Sequence, residues 1–254
     1  MKVSIITLTY NSIKTISHTV DSIFNQDYQN IEKIWIDNCS NDGTTEYLQK
    51  KKDINTKLII EKDKGICFAF NKGLSLATGD IIGFLHSDDT FNTSNDISLI
   101  AETFKNNQIN MTYSDLEYIN AKDRLIRYWK ADTNNSNLKD KNYFKKKIKY
   151  GWMPPHPTTY FRKNFLSHIA NYNTSYKVSF DYDYLIRALK HKQIRAFYIP
   201  KVIVKMKIGG NSNKSVKNIF LKMLEDLKII KRNDLAGLLT LFLKNIIKIK
   251  QFFC

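Results

Sequence analysis

Cysteine is scarce in this chain: Cys39, Cys67 and Cys254 are the three among 254 residues, and no paired spacing links them. Such a set builds neither a disulfide framework nor a zinc knuckle, and it suits a reducing compartment. Long hydrophobic runs are missing too. The apolar stretch from Leu235 to Leu243 is stopped by Lys244, whereas a spanning helix needs about twenty apolar residues. A transmembrane protein is therefore not expected. Nor is a signal peptide, because no small-residue cleavage site follows the apolar run after Met1-Lys2. No GxGxxG or Walker-type loop follows that run, which weakens dinucleotide-binding and P-loop readings. Internal repeats and low-complexity blocks are absent. Negative charge is in deficit, with 24 Asp and Glu against 40 Lys and Arg, a formal net charge of +16. This favours anionic partners: nucleic acid, phosphorylated small molecules or an acidic membrane surface. What is present is an ordinary globular composition, 43% apolar and 25% charged, which excludes disorder or a fibre as the main state.

The first hundred residues alternate between two periods. Strands are predicted at Val3–Leu8, Ile31–Ile36, Leu58–Ile60 and Ile81–Leu85, from short apolar or β-branched runs. Helices are predicted between them: one capped at Asn11-Ser12 and carrying Ile16, Val20, Ile23 and Phe24, one opening at Asp42-Gly43-Thr44, and one over Ile66–Ala77. Alternation of this kind implies an α/β fold, a mostly parallel sheet with flanking helices and right-handed crossovers. Ligands of such sheets bind outside the carboxyl ends of the strands. Polar clusters fall at those ends: Thr9-Tyr10-Asn11, Asp37-Asn38, Asp63 and Asp88-Asp89. Beyond Asn92 the pattern loosens into a helix (Asp96–Phe104), strands at Met111–Asp115, Leu125–Trp129 and Thr159–Phe161, a basic run (Lys139–Lys149), a helix over Phe180–Leu189 and an extended Ala196–Met206. Gly209-Gly210-Asn211-Ser212 marks a boundary, and Ile219–Cys254 reads as helical, apolar and basic.

Asp88-Asp89 is the sharpest chemical feature. Adjacent carboxylates repel unless a cation or hydrogen-bond donors neutralise them. Mg2+ or Mn2+ takes one or two protein carboxylates while a substrate diphosphate fills other positions. The alternative is a solvated turn that caps the following helix. Asp37, leaving a strand, offers an acceptor for the N3 hydrogen of uracil, or else makes an Asx-turn. Asp42 reads as a helix cap.

Taken together, Val3–Asn11, Ile36–Thr44, Asp63–Gly65, Ala69–Gly73 and Gly79–Asp89 resemble glycosyltransferase family 2, the nucleotide-sugar-dependent enzymes of GT-A fold. The resemblance implies a Rossmann-like GT-A domain over residues 1–212, with a nucleotide half (1–91) and an acceptor half (92–212), followed by a basic helical tail (213–254). It implies that Thr9, Tyr10, Asn11, Asp37, Asp63, Lys64 and Asp88 line the nucleotide site and that Asp89 holds the metal. His86 departs from the acid or Asn usual at that point of the motif, and Phe68 replaces a frequent acid. Family members invert the anomeric centre with a carboxylate base, a group worth roughly 10²- to 10⁴-fold in rate. Aligning Phe180–Arg187 on Leu185 and Arg187 puts that base at Asp181, with Asp183 as the alternate on the opposite side of a helix. An acidic first turn that complements the helix dipole is the plainer reading of both. His156 is implied at the acceptor or diphosphate, or is a structural loop histidine. Gly209 and Gly210 match a glycine-rich loop near the donor, whose N–H groups could meet phosphate, or simply end the domain.

Residues 213–254 hold nine Lys or Arg against three acids. A basic amphipathic helix of this kind suits an anionic membrane surface; the alternative packs on the domain with a lysine face in water. The expectation is a hexose or N-acetylhexosamine transferase using a UDP-sugar and a growing, lipid-linked glycan as acceptor. Its expected place is the cytoplasm, peripheral at the inner face of a bacterial membrane, in O-antigen, capsule or lipooligosaccharide synthesis. A catalytically idle nucleotide-binding scaffold is the alternative. A nucleic-acid partner is not expected, because it leaves Asp37 and Asp88-Asp89 unexplained.

Overall fold

The computed structural model describes residues 1–133, 138–208 and 216–251, the last stretch without the side chains of residues 216, 217, 249 and 250. Its first half alternates as expected: β1 (Val3–Thr9), α1 (Ile16–Phe24), β2 (Ile31–Asp37), α2 (Thr44–Lys51), β3 (Thr56–Ile60), α3 (Ile66–Leu76) and β4 (Ile81–Phe84). Every residue of β1, β2 and β4 is buried, as befits parallel strands covered on both faces. Of their buried polar residues, Glu32 is matched by donors, accepting from Ser4 Oγ at 2.6 Å, Thr78 N at 2.8 Å and Thr78 Oγ1 at 2.7 Å.

The second half contains β5 (Asp89–Phe91), α4 (Asp96–Thr103), β6 (Met111–Ile119), β7 (Leu125–Trp129), α5 (Lys141–Lys149), β8 (Tyr160–Arg162), α6 (Lys163–Leu166), α7 (Phe180–Lys190), β9 (Ala196–Lys207), α8 (Val216–Arg232) and α9 (Leu238–Lys250). The strands form one sheet in the order β3-β2-β1-β4-β8-β6-β9-β5, with β7 also pairing β6. Pairs among β1 to β4 are parallel, while β8 joins β4 and β6 antiparallel. Gly83 permits the β4–β8 contact, since a Cβ there would lie 2.2 Å from the Tyr160 ring. β9 runs parallel to β6 and antiparallel to β5, and its register breaks where Pro200, which has no N–H to give, interrupts the ladder.

Three local differences from the sequence reading have physical causes. α1 starts at Ile16 rather than after Asn11-Ser12, because Asn11 sits at φ 49° and Ser12 O closes a turn on Thr15 N and Ile16 N. The basic run is a helix, started by Asp140, whose side chain accepts from Asn142 N and Tyr143 N, and anchored by buried Phe144 and Ile148. The C-terminal stretch is a hairpin of two helices, turned at Asp234 and Gly237, both at positive φ. One face of this hairpin packs on the body. Ile229, Ile230 and Leu241 join the main apolar core, and Lys244 Nζ meets Asp226 Oδ2 at 2.8 Å.

Candidate active site

The carboxyl ends of β1 and β2 are tied side by side. Thr9 and Asp37 are register partners, and Thr9 Oγ1 donates to Asp37 Oδ1 at 2.7 Å. Asp37 is fully buried and also accepts from Ser40 N, Ser40 Oγ and Thr45 Oγ1 at 2.9, 2.6 and 2.6 Å. Burial alone would raise its pKa; the donors from Ser40, Thr45 and Thr9 outweigh it and hold the carboxyl below the usual range. Four donors match the lone-pair capacity of a carboxylate, and the backbone bond goes to Ser40 N, three residues on rather than the two of an Asx-turn.

Asn11 laces the two loops together. Its N–H donates to Ser40 Oγ at 2.8 Å and its Oδ1 accepts from Asn41 N at 3.0 Å. Asp42 does not cap α2, whose N-cap is Gly43 at φ 97°; it sits one residue earlier and ties the turn to the first loop, accepting from Thr44 N at 3.1 Å and from Ile13 N at 3.0 Å. Tyr10 is 59% exposed at the mouth. The loop after β3 joins through Asn38, whose Oδ1 accepts from Asp63 N at 2.7 Å. Burial and then the neighbouring Glu61 push the Asp63 carboxyl up, and Lys64 is exposed.

The loop after β4 completes this end of the sheet. Ser87 Oγ and Ser12 Oγ lie 2.9 Å apart, binding it to the first loop. The solvated-turn reading of Asp88-Asp89 fails for its second member. Asp89 opens β5, is 0% exposed, and has no hydrogen-bond partner on either carboxylate oxygen. Burial, and then the charge of Asp88, push its pKa well above the ordinary value. A buried carboxylate without donors carries a large desolvation cost. Two bare hard oxygens beside a half-exposed Asp88 fit a divalent cation that takes its remaining ligands from a diphosphate and water. Among the described residues, no group of three or more His, Cys, Asp or Glu forms a protein-only metal cage.

The first turn of α7 carries Asp181 and Asp183. Asp183 is buried; its Oδ2 accepts from Arg187 Nε at 2.8 Å, and its Oδ1 has no hydrogen-bond partner. Asp181 is half-buried, and its Oδ1 accepts only the adjacent Tyr182 N at 2.7 Å. Its charge reaches His86, His156 and Tyr118, and Tyr118 also feels Asp89. The rings of His86 and His156 stack at 6.2 Å and 16°. His156 Nε2 lies 2.8 Å from the Tyr172 hydroxyl, inside a box of Phe70, Phe84 and Tyr172. Burial lowers the His156 pKa to about 4 despite Asp181, so the ring is neutral.

Several side chains here went unnoticed in the sequence. Arg127 lies over the Tyr118 ring at 4.4 Å and donates through Nε to Gln251 Oε1 at 2.8 Å. Lys248 of α9 is held down at about 8 by burial and then by Lys222, while Asp226 and Asp181 pull it upward. Tyr118 and Arg127 meet through the pairing of β6 with β7, and no local pattern marks them. Gly209 and Gly210 lie outside the described residues.

Comparison with known proteins shows the family and the fold. The family model described as "Glycosyl transferase family 2" matches residues 4–169. A PGL/p-HBAD biosynthesis glycosyltransferase of Mycobacterium bovis (strain BCG) is 28% identical over 225 residues, 87% of this chain and 83% of that protein. The Escherichia coli UDP-Glc:alpha-D-GlcNAc-diphosphoundecaprenol beta-1,3-glucosyltransferase WfgD is 35% identical over 119 residues, 46% of this chain and 47% of that protein. In fold, the chain is similar to Staphylococcus aureus TarS 1-349 in complex with UDP-GlcNAc, with TM-score 0.66 at 20% identity, covering 91% of this chain and 67% of that one. It is also similar to the mannosyltransferase PcManGT of Pyrobaculum calidifontis in complex with GDP-Man and Mn2+, with TM-score 0.63 at 16% identity, covering 91% and 63%.

Proposed function

The chain belongs to glycosyltransferase family 2, and from that premise we propose that it transfers a hexose or N-acetylhexosamine from a UDP-sugar, with inversion, to a hydroxyl of a growing lipid-linked glycan. The observation that carries this reading is the buried carboxylate of Asp89, bare on both oxygens, with the half-buried carboxylate of Asp181 at the start of α7 near enough for both charges to act on Tyr118. Donor chemistry and acceptor chemistry need separate carboxylates on the two sides of the anomeric carbon, and these two supply them.

In this reading Tyr10 and Asn11 border the nucleotide, and Asp63 and Lys64 lie beside it. Asp37 receives the uracil N3–H when one of its hydroxyl donors turns aside. Asp88 stands near the ribose and diphosphate, and Asp89 holds Mn2+ or Mg2+. The bound cation supplies charge neutralisation and Lewis acidity at the departing diphosphate. Asp181 takes the acceptor proton. Asp183, the alternate, is buried and gives its Oδ2 to Arg187, which favours Asp181 for this role. His156, neutral and fixed by Tyr172, walls the acceptor side. The relative named for a diphosphoundecaprenol-linked acceptor supports a lipid-linked glycan and work at the anionic inner face of a bacterial membrane.

Asp181→Asn tests the assignment of the base. Transfer is expected to fall by roughly 10²- to 10⁴-fold while UDP binding persists. Retained turnover would overturn the role of Asp181.

A further inference from the structure

The α8–α9 hairpin has two faces of opposite character. Toward the body it buries Glu225, Asp226, Ile229 and Ile230 from α8, and Thr240, Leu241 and Lys244 from α9. The first turns of α8 expose Ile219, Phe220, Met223 and Leu224, at 42–62% of their surface, and α9 exposes Leu238, Leu239 and Phe242, at 51–72%. At 100° per residue the α9 positions, with Phe220 and Leu224 of α8, lie away from the buried stripes, while Ile219 and Met223 sit in line with or beside the α8 stripe, before its buried residues begin. Solvent-facing helix positions are ordinarily polar; these seven are apolar.

Its charged border is of one sign. Both acids of α8 point inward, whereas Lys228, Lys231 and Arg232 are exposed. Asp234 is the exposed acid, in the connecting turn. Alongside, α5 presents Lys141, Lys145, Lys146 and Lys149 to solvent. It is locked to α9 by Thr240 Oγ1, which donates to Lys149 O at 2.7 Å. A second copy of this chain would bring the same cations against them, which disfavours a symmetric dimer through this face.

We propose that the outward face of α8–α9, bordered by the lysines of α5, docks the enzyme on an anionic lipid bilayer. Phe220, Leu238 and Phe242 enter the headgroup boundary while the lysines meet lipid phosphates. Each basic residue near such a surface strengthens binding roughly fivefold. No described helix is long and apolar enough to cross the membrane, so the hairpin lies along it. The proposal rests on the reading above only in its account of why docking matters: the hairpin that meets lipid also seats the start of α7, where Asp181 stands.

The test is co-sedimentation of the full chain with phosphatidylcholine vesicles doped with phosphatidylglycerol, against pure phosphatidylcholine. Wild type is compared with the double variant Leu238→Glu/Phe242→Glu and with Lys228→Glu/Lys231→Glu, and UDP binding is titrated in parallel. Selective binding to the doped vesicles is expected, weakened about tenfold or more by either pair of changes, with circular dichroism and UDP binding unchanged. Equal sedimentation of wild type and both variants would overturn the proposal. So would a wild-type dimer in light scattering that ignores vesicles and that the apolar-to-Glu pair splits, since that result gives the face to a second copy. Vesicle binding without UDP binding would instead sink the donor-site reading and leave this face standing.

Discussion

Glu225 Oε2 of α8 accepts the backbone N–H of Ser179 at 2.8 Å, at the very start of α7. The same side chain accepts from Lys177 N at 2.8 Å and Val178 N at 2.9 Å. One buried carboxylate from the C-terminal hairpin therefore satisfies three otherwise orphaned donors and sets where α7 begins, two residues before Asp181. The helix that carries the proposed base is positioned by a part of the chain that its own sequence segment does not contain.

Replacing Glu225 with Gln trades a charged acceptor for a neutral amide against three N–H groups. A loss of about 2 kcal/mol of stability is expected, measured by urea denaturation. As a positioning residue it should affect kcat rather than the affinity for UDP. A fall in UDP affinity with kcat unchanged would contradict that role.

Asp37 tests the other end of the sheet. Asp37→Asn places an amide donor among the four donors from Thr9, Ser40 and Thr45. It should cost about 3 kcal/mol of stability and reduce the preference for UDP over CDP in titrations. Full stability in the variant would mean that these donors have other partners in solution.

His156 gives the chain a specific acid sensitivity. Its pKa is ordinary when unfolded and about 4 when folded, so between those values the unfolded chain binds more protons. Its contribution is complete above about pH 6.5 and is lost as pH falls toward about 4, up to about 3 kcal/mol in all. His156→Gln should flatten that part of the stability–pH curve. An unchanged slope would assign the sensitivity elsewhere.

The strand ends were legible from sequence because their signals are local. Val3–Leu8 and Ile31–Ile36 are short runs rich in apolar and β-branched residues, Thr9 and Asp37 follow them directly, and Asp88-Asp89 comes three residues after Ile81–Leu85. What escaped was set by distant partners. β5 is three residues long and exists as a strand through its pairing with β9, more than a hundred positions away. That pairing is what buries Asp89. The helix in Lys139–Lys149 was masked by its lysines, although Asp140 as a cap and Phe144 and Ile148 at i, i+4 carried its signature. Tyr118 and Arg127 stand together only because β6 pairs with β7.

The central claim is that Asp89 is the protein's hold on a metal-bound nucleotide diphosphate, and calorimetric titration of UDP tests it most directly. Wild type and Asp89→Ala are each titrated with Mn2+ and again with a chelator. Wild-type binding in Mn2+ that weakens by about tenfold or more on chelation, and equally in Asp89→Ala, is the expected result. UDP binding of equal strength in all four titrations would contradict it, leaving Asp89 a buried carboxylate with no cation to hold.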